Sequence, residues 1–193
     1  MRIALVCTNY FPVTCGVGDH TMRLAQHLIL SGHDVHVFCK APAQPHEEAP
    51  HVPVTPLSAP TPGLLALRMG VHVNRFQPDL CVLAYTPMGL GAGRFGSAGM
   101  PALALALRAA GIRVRSVVHE AYAPIHPRPD LLVGAALMRA EFTALAAASE
   151  RTFLTTENRV AHCQSVLAPL GLSSNISLLP VGAGALPTAA MPV

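Results

Sequence analysis

Residues 1–40 constrain the fold most, because they spell out a complete strand, turn, helix and second strand. An apolar run, Arg2-Ile3-Ala4-Leu5-Val6-Cys7, passes through Pro12 into Cys15-Gly16-Val17-Gly18-Asp19-His20. Apolar Met22, Leu24, Ala25, Leu28 and Ile29 then recur at helical spacing, Gly32 stops the helix, and Asp34-Val35-His36-Val37-Phe38 alternates as a strand does. Glycine at a strand-to-helix junction lets backbone approach a ligand closely, and the helix N-terminus behind it offers unpaired N–H groups at the positive end of the helix dipole. Such a junction suits anionic groups, phosphate above all. Asp19, in the first helical turn, is expected as the helix cap, and His20 as an exposed polar residue or a ligand contact.

The same alternation continues down the chain. A proline-rich segment, Ala41–Pro62, reads as an irregular surface connection with one short strand around Val52–Leu57. Leu64–Phe76 has helical periodicity and Leu80–Ala84 is a continuous apolar strand. Gly89–Gly99 is glycine-rich; Pro101 suits a helix start, the helix runs to Ala110, and Gly111 closes it before a strand at Ile112–Val118. A polar, proline-broken loop follows, His119–Asp130, with Asp130 expected to cap a helix at Leu131–Ala148. Strand Arg151–Thr155, helix Arg159–Leu167 and strand Ile176–Leu179 complete the series. Strands apolar on both faces, alternating with helices, imply an α/β fold with a Rossmann-like, doubly wound parallel sheet whose ligand crevice lies at the carboxyl ends of the strands. Residues 1–180 read as one domain and 181–193, small residues and proline without periodicity, as a linker.

Composition narrows the classes of function. Hydrophobic residues make up 51% of the chain against 12% charged, so one face is expected to meet another body. The net charge is +3, but Lys and Arg are scattered and Trp is absent, which argues against nucleic acid as a partner. The five cysteines, Cys7, Cys15, Cys39, Cys81 and Cys163, contain no CxxC pair and mostly fall where burial is expected, as in a reducing cytoplasm. Met1 begins the first strand directly, with no leader pattern. The apolar helices are too short, or are broken by Arg139 and Glu141, to span a bilayer; peripheral membrane contact is compatible with them.

Candidate chemistry gathers at two loops. Gly16-Val17-Gly18 supplies two glycines of a dinucleotide fingerprint, but Thr21 stands at the third, and the second strand ends Phe38-Cys39-Lys40 without the acidic residue that would hold a ribose. His119 and Glu120, directly after a strand on the crevice rim, are the best candidates for polar contact with substrate. In HEAYAPIH, Ala123 occupies the place where a zinc motif needs its second histidine, so His119 and His126 are not expected to bind metal. Nucleophile-elbow and P-loop motifs are absent.

Arg2–Cys7, the Pro12…Gly16-Val17-Gly18 loop, Leu24-Ala25…Leu28, Gly32–Val37, Val117-Val118-His119 and Thr156-Glu157, in that order, resemble the amino-terminal domain of GT-B glycosyltransferases, family-4-like. The resemblance spans nearly the whole chain. It implies one half of a GT-B architecture: the acceptor-binding half of a retaining glycosyltransferase, sharing a nucleotide-sugar donor with a carboxy-terminal domain and needing neither metal nor cofactor. It implies a catalytic role for His119 near the transferred sugar. It also implies donor or acceptor binding by Gly16, Val17, Gly18, His20, Glu120 and Glu157, with a sugar, lipid or small molecule as acceptor and no activity in the isolated chain. Cys15, standing for the first of two adjacent glycines, and Val181-Gly182, lacking a preceding asparagine, depart from the pattern. A non-enzymatic Rossmann-like binding module and a dinucleotide-dependent oxidoreductase fragment are the rival readings.

Overall fold

A computed structural model describes residues 1–87, 90, 99–122 and 128–179. Seven strands form one sheet: β1 (Arg2–Cys7), β2 (Asp34–Lys40), β3 (Val54–Leu57), β4 (Leu80–Tyr85), β5 (Arg113–Val118), β6 (Arg151–Leu154) and β7 (Ile176–Leu178). Their spatial order is β3-β2-β1-β4-β5-β6-β7 and every neighbouring pair is parallel. Parallel neighbours need crossovers, and five helices supply all but the one from β2 to β3: α1 (Gly16–Leu30), α2 (Pro62–Phe76), α3 (Gly99–Ala109), α4 (Pro129–Ala148) and α5 (Glu157–Leu167). The α/β, Rossmann-like parallel sheet expected from the sequence is the fold observed.

Strand alternation splits the apolar residues between two cores. Ile3, Leu5 and Cys7 of β1 join Val35, Val37 and Cys39 of β2 under Met22 and Ala25 of α1. Ala4 and Val6 face the other way with Phe38, Leu83 and Val118, beneath Met69 of α2, Leu103 of α3, Phe142 of α4 and Leu167 of α5. Each strand is therefore covered on both faces along β1 and β2, which is why their runs are almost continuously apolar. Within the second core, Ser116 and Ser149 pair their hydroxyls at 2.7 Å, and Ser149 donates onward to the Leu145 carbonyl at 2.9 Å.

Element ends follow recognisable chemistry with some corrections. Gly32 and Gly111 sit at φ 80° and 81°, where a side chain would be strained, and stop α1 and α3 as expected. Gln77 ends α2 at φ 52°, a left-handed residue that its own amide helps hold by donating to the Asn74 carbonyl at 2.6 Å. Asp130 is not the cap of α4: the helix starts two residues earlier than expected, at Pro129 behind Arg128, because proline's fixed φ suits the first helical position. The 41–62 segment is more firmly built than a surface crossing. Ala49 and Val52 are fully buried, the Gln26 amide donates to the Glu48 carbonyl at 2.8 Å, and the Gln44 N–H donates to the Phe11 carbonyl at 2.8 Å. Its strand begins at Val54, since the Val52 N–H is taken by the Ala49 carbonyl in a turn. Most of the Gly89–Gly99 stretch, His126 and the segment 181–193 lie outside the described residues.

Candidate functional site

Strand order reverses between β1 and β4, so the crevice at their carboxyl ends is the topological switch point, and α1 begins there. Cys15 caps the helix, not Asp19: its backbone is extended and its Sγ accepts the Gly18 N–H at 3.2 Å. Asp19 lies one turn further in, its N–H bonded to the Cys15 carbonyl at 3.0 Å. Gly16, Val17 and Gly18 are thus the first three helical residues rather than a loop. The N–H groups of Gly16 and Val17 have no acceptor inside the helix.

The two glycines do different things. Gly16 is exposed, and nothing lies within 4 Å of the place its Cβ would occupy. Gly18 is buried, and a Cβ there would stand 3.0 Å from the Asn9 carbonyl oxygen, 3.3 Å from Cys15 Sγ and 3.3 Å from Tyr10 Cα. Close packing against the strand-end backbone therefore explains Gly18, whereas the mouth of the turn is open above Gly16.

His119 follows β5 and extends its ladder, donating its N–H to the Tyr85 carbonyl at 3.0 Å. Its half-buried ring meets the ring of His20 edge-on, centroids 5.0 Å apart at 75°. The Arg159 guanidinium, from the first turn of α5, donates to the His119 carbonyl. Burial, then the neighbouring His20 and Arg159, push His119 down to about 4, and burial also lowers His20. At neutral pH both rings are therefore uncharged, and Arg159 carries the positive charge of the cluster. Nε2 of His119 is buried without a hydrogen-bond partner among the described residues.

The fold brings together His119, His20 and, through α1, Gly16 and Val17. Glu120 is exposed one residue beyond His119. Glu157 is exposed at the first position of α5, where a carboxylate is favoured by the helix dipole whatever else it does. Among the described residues no hydrogen bond or ion pair joins either glutamate to the histidine pair. Arg159 belongs to no motif; its one signal in the sequence is a cation in a first helical turn, against the dipole preference. Beside α1, a hollow of about 260 Å³ is lined by Phe11, Thr14, Asp19, Arg23, His46 and Glu48, with the Phe11 and His46 rings 4.8 Å apart. Among the described residues no group of three His, Cys, Asp or Glu side chains could hold a metal ion.

Neither a protein-family model nor a curated protein matches the sequence. Solved structures do. Phytolacca americana apo UGT2 superposes with a TM-score of 0.54 at 10% identity, over 94% of this chain and 51% of that one. SsfS6, a glycosyltransferase of Streptomyces sp. SF2575, gives 0.50 at 15% identity, over 83% and 51%. An alpha-glucosyltransferase in complex with UDP and a 13-mer DNA gives 0.51 at 15% identity, over 82% and 37%. At these identities the likeness is one of fold, the Rossmann-like parallel sheet of GT-B proteins. The chain spans about half the length of the first two and 37% of the third.

Proposed function

We infer that residues 1–180 form the acceptor-side half of a retaining, family-4-like GT-B glycosyltransferase, acting on a nucleotide-sugar donor. One observation carries the reading: at the switch point, a buried, unpartnered imidazole nitrogen of His119 stands with Arg159 behind it and His20 against its ring. The opening of α1 lies at the same crevice. A neutral ring, a fixed cation and free helix N–H groups form a set suited to a sugar joined to a diphosphate.

In the reaction the bond from the sugar's anomeric carbon to the diphosphate oxygen breaks, and the diphosphate keeps the electron pair. The acceptor oxygen bonds to that carbon from the same face, and its proton passes to the departing phosphate. Negative charge thus grows on the diphosphate in the transition state, where Arg159 and the N–H groups of Gly16 and Val17 are arranged to balance it. His119, uncharged, hydrogen-bonds the transferred sugar through Nε2 and His20 fixes its ring. Glu120 and Glu157, on the exposed rim, meet hydroxyl groups of donor or acceptor. The hollow beside α1 supports acceptor binding on this half, and its size favours a single-ring sugar or small molecule over a larger one.

A carboxy-terminal domain, joined through 181–193, holds most of the nucleotide, so the chain alone turns over no sugar nucleotide. Four buried free thiols and a half-buried fifth suit the cytoplasm. Calorimetric titration of the chain with UDP tests the reading. Weak binding that Arg159→Gln reduces about tenfold supports it; binding of NADH instead, or of neither, overturns it. Turnover of any nucleotide sugar by the isolated chain would refute the half-enzyme.

A further inference from the structure

α2, α3 and α4 pack side by side on one face of the sheet, and the surface they turn outward is unusually apolar. Leu64, Leu67 and Val71 on α2, Leu105 on α3, and Val133 and Leu137 on α4 are all exposed, Leu67 and Leu105 by 63% and 57%. The remaining exposed positions of α4 between Leu132 and Ala147 are alanines: Ala136, Ala140, Ala144 and Ala147. From helix rise and spacing the patch measures on the order of 20 Å by 25 Å, at the upper end of what a free surface tolerates. A groove of about 420 Å³ runs between α2 and α3, lined by Leu67, Gly70, Val71, Leu103, Ala106 and Ala110. Gly70 leaves the groove open on its side; a Cβ there would stand in ordinary contact with Leu103 Cδ1, at 3.4 Å.

The charges on α2 and α3 have one sign. α2 carries exposed Arg68 and Arg75 and half-buried His72, α3 carries exposed Arg108, and neither helix contains an Asp or Glu. In α4 Glu141 is buried and Asp130 stands in the first turn. A second copy docked by a two-fold axis would set these arginines against the same arginines with no carboxylate on α2 or α3 between them. An anionic lipid surface supplies both things the patch lacks, a hydrocarbon layer for the leucines and negative headgroups for the arginines, and its acyl chains fit the apolar groove.

We propose that the outer face of α2, α3 and α4 is a docking surface for an anionic membrane, on which the protein lies with its helices along the bilayer plane. No described helix is long and apolar enough to cross a membrane, so the attachment is interfacial. The crevice at the strand ends lies off this face and stays open to ligands while the protein is bound.

The test is co-sedimentation of the chain with vesicles of phosphatidylcholine alone and of an equimolar phosphatidylcholine–phosphatidylglycerol mixture, together with light scattering. The mixed vesicles should bind the chain at least tenfold more strongly than the neutral ones, and added salt should weaken that binding. Leu67→Glu, Leu105→Glu and Leu137→Glu combined should abolish it. Arg75→Gln, an exposed and structurally mild change, should lower it about fivefold, the value of one cation near an anionic surface. No preference for the mixed vesicles, or undiminished binding by both variants, overturns the proposal. So does a dimer in solution that the triple glutamate variant converts to monomer without any vesicle binding. UDP affinity is measured on the same samples, so failure here is separable from failure of the glycosyltransfer reading.

Discussion

Replacing each glycine of the first turn of α1 by alanine separates packing from ligand access. At Gly18 the new methyl group meets two backbone atoms, the Asn9 carbonyl oxygen at 3.0 Å and Tyr10 Cα at 3.3 Å. Neither can swing away as a side-chain tip can, because Tyr10 is itself fully buried. Overpacking of this kind costs about 1–3 kcal/mol, and the better helix propensity of alanine returns at most about 1, leaving a net loss between about 0 and 3 kcal/mol, centred near about 1.5. For a chain of this length that central value lowers Tm by about 3–6 °C. At Gly16 the methyl meets nothing within 4 Å, so Gly16→Ala should leave Tm unchanged or raise it slightly by restricting the unfolded chain. The same methyl covers the open mouth of the turn and should weaken UDP binding. Scanning calorimetry of both variants with matched UDP titrations decides the matter. If Gly18→Ala melts at or above the parent, the strand-end backbone yields and packing is not why glycine stands there.

Three further outcomes are expected. His119 titrates near 4 when folded and near 6.5 in an unfolded chain, so the unfolded state binds the extra proton between those values; stability is full above about 6.5 and falls as pH drops toward 4. His119→Gln should flatten that fall in denaturant melts from neutral to mildly acidic pH, and parallel curves would exclude the buried neutral ring. In the buried hydroxyl pair, Ser149→Ala strands the Ser116 hydroxyl and should cost about 1–3 kcal/mol, whereas Ser116→Ala leaves Ser149 bonded to the Leu145 carbonyl and should cost about 1, a ranking that chemical denaturation can reverse or uphold. Cys15→Ser puts a stronger acceptor at the cap of α1 and should hold or raise Tm, while Cys15→Ala should lose about 0.5–2 kcal/mol; equal melting of the two would remove the cap.

Signals carried by neighbouring residues could be read from the sequence. The period-two runs of β1 and β2, the helical spacing of Met22 to Ile29, and the stops at Gly32 and Gly111 each depend on residues a few positions apart. Misreadings arose where an unusual residue took a familiar role. Cysteine is not an expected helix cap, so Asp19 drew attention from Cys15, and Asp130 did the same although Pro129 already marked the start of α4. At the candidate site, the placement of His119 at the end of β5 was legible because strand ends at a crevice are rigid. Its partners were not: His20 comes from α1, Arg159 from α5, and only the crossover order of the sheet brings the three together. Gly18 had the right residue type for ligand approach, and only coordinates reveal that the Asn9–Tyr10 backbone fills the space.

The sheet has a seam. Everything on one side of it, β1 to β3, comes from residues 2–57, and everything on the other, β4 to β7, from residues 80–178; four registered residue pairs, Ile3–Leu80 to Val6–Leu83, stitch the two blocks. His20 belongs to the first block and His119 and Arg159 to the second, so a molecule seated among them acts as a rivet across the join. Its occupancy should slow amide exchange in β1 and β4 more than at the outer edges β3 and β7, and a nicked chain cut between the blocks should be held together by it.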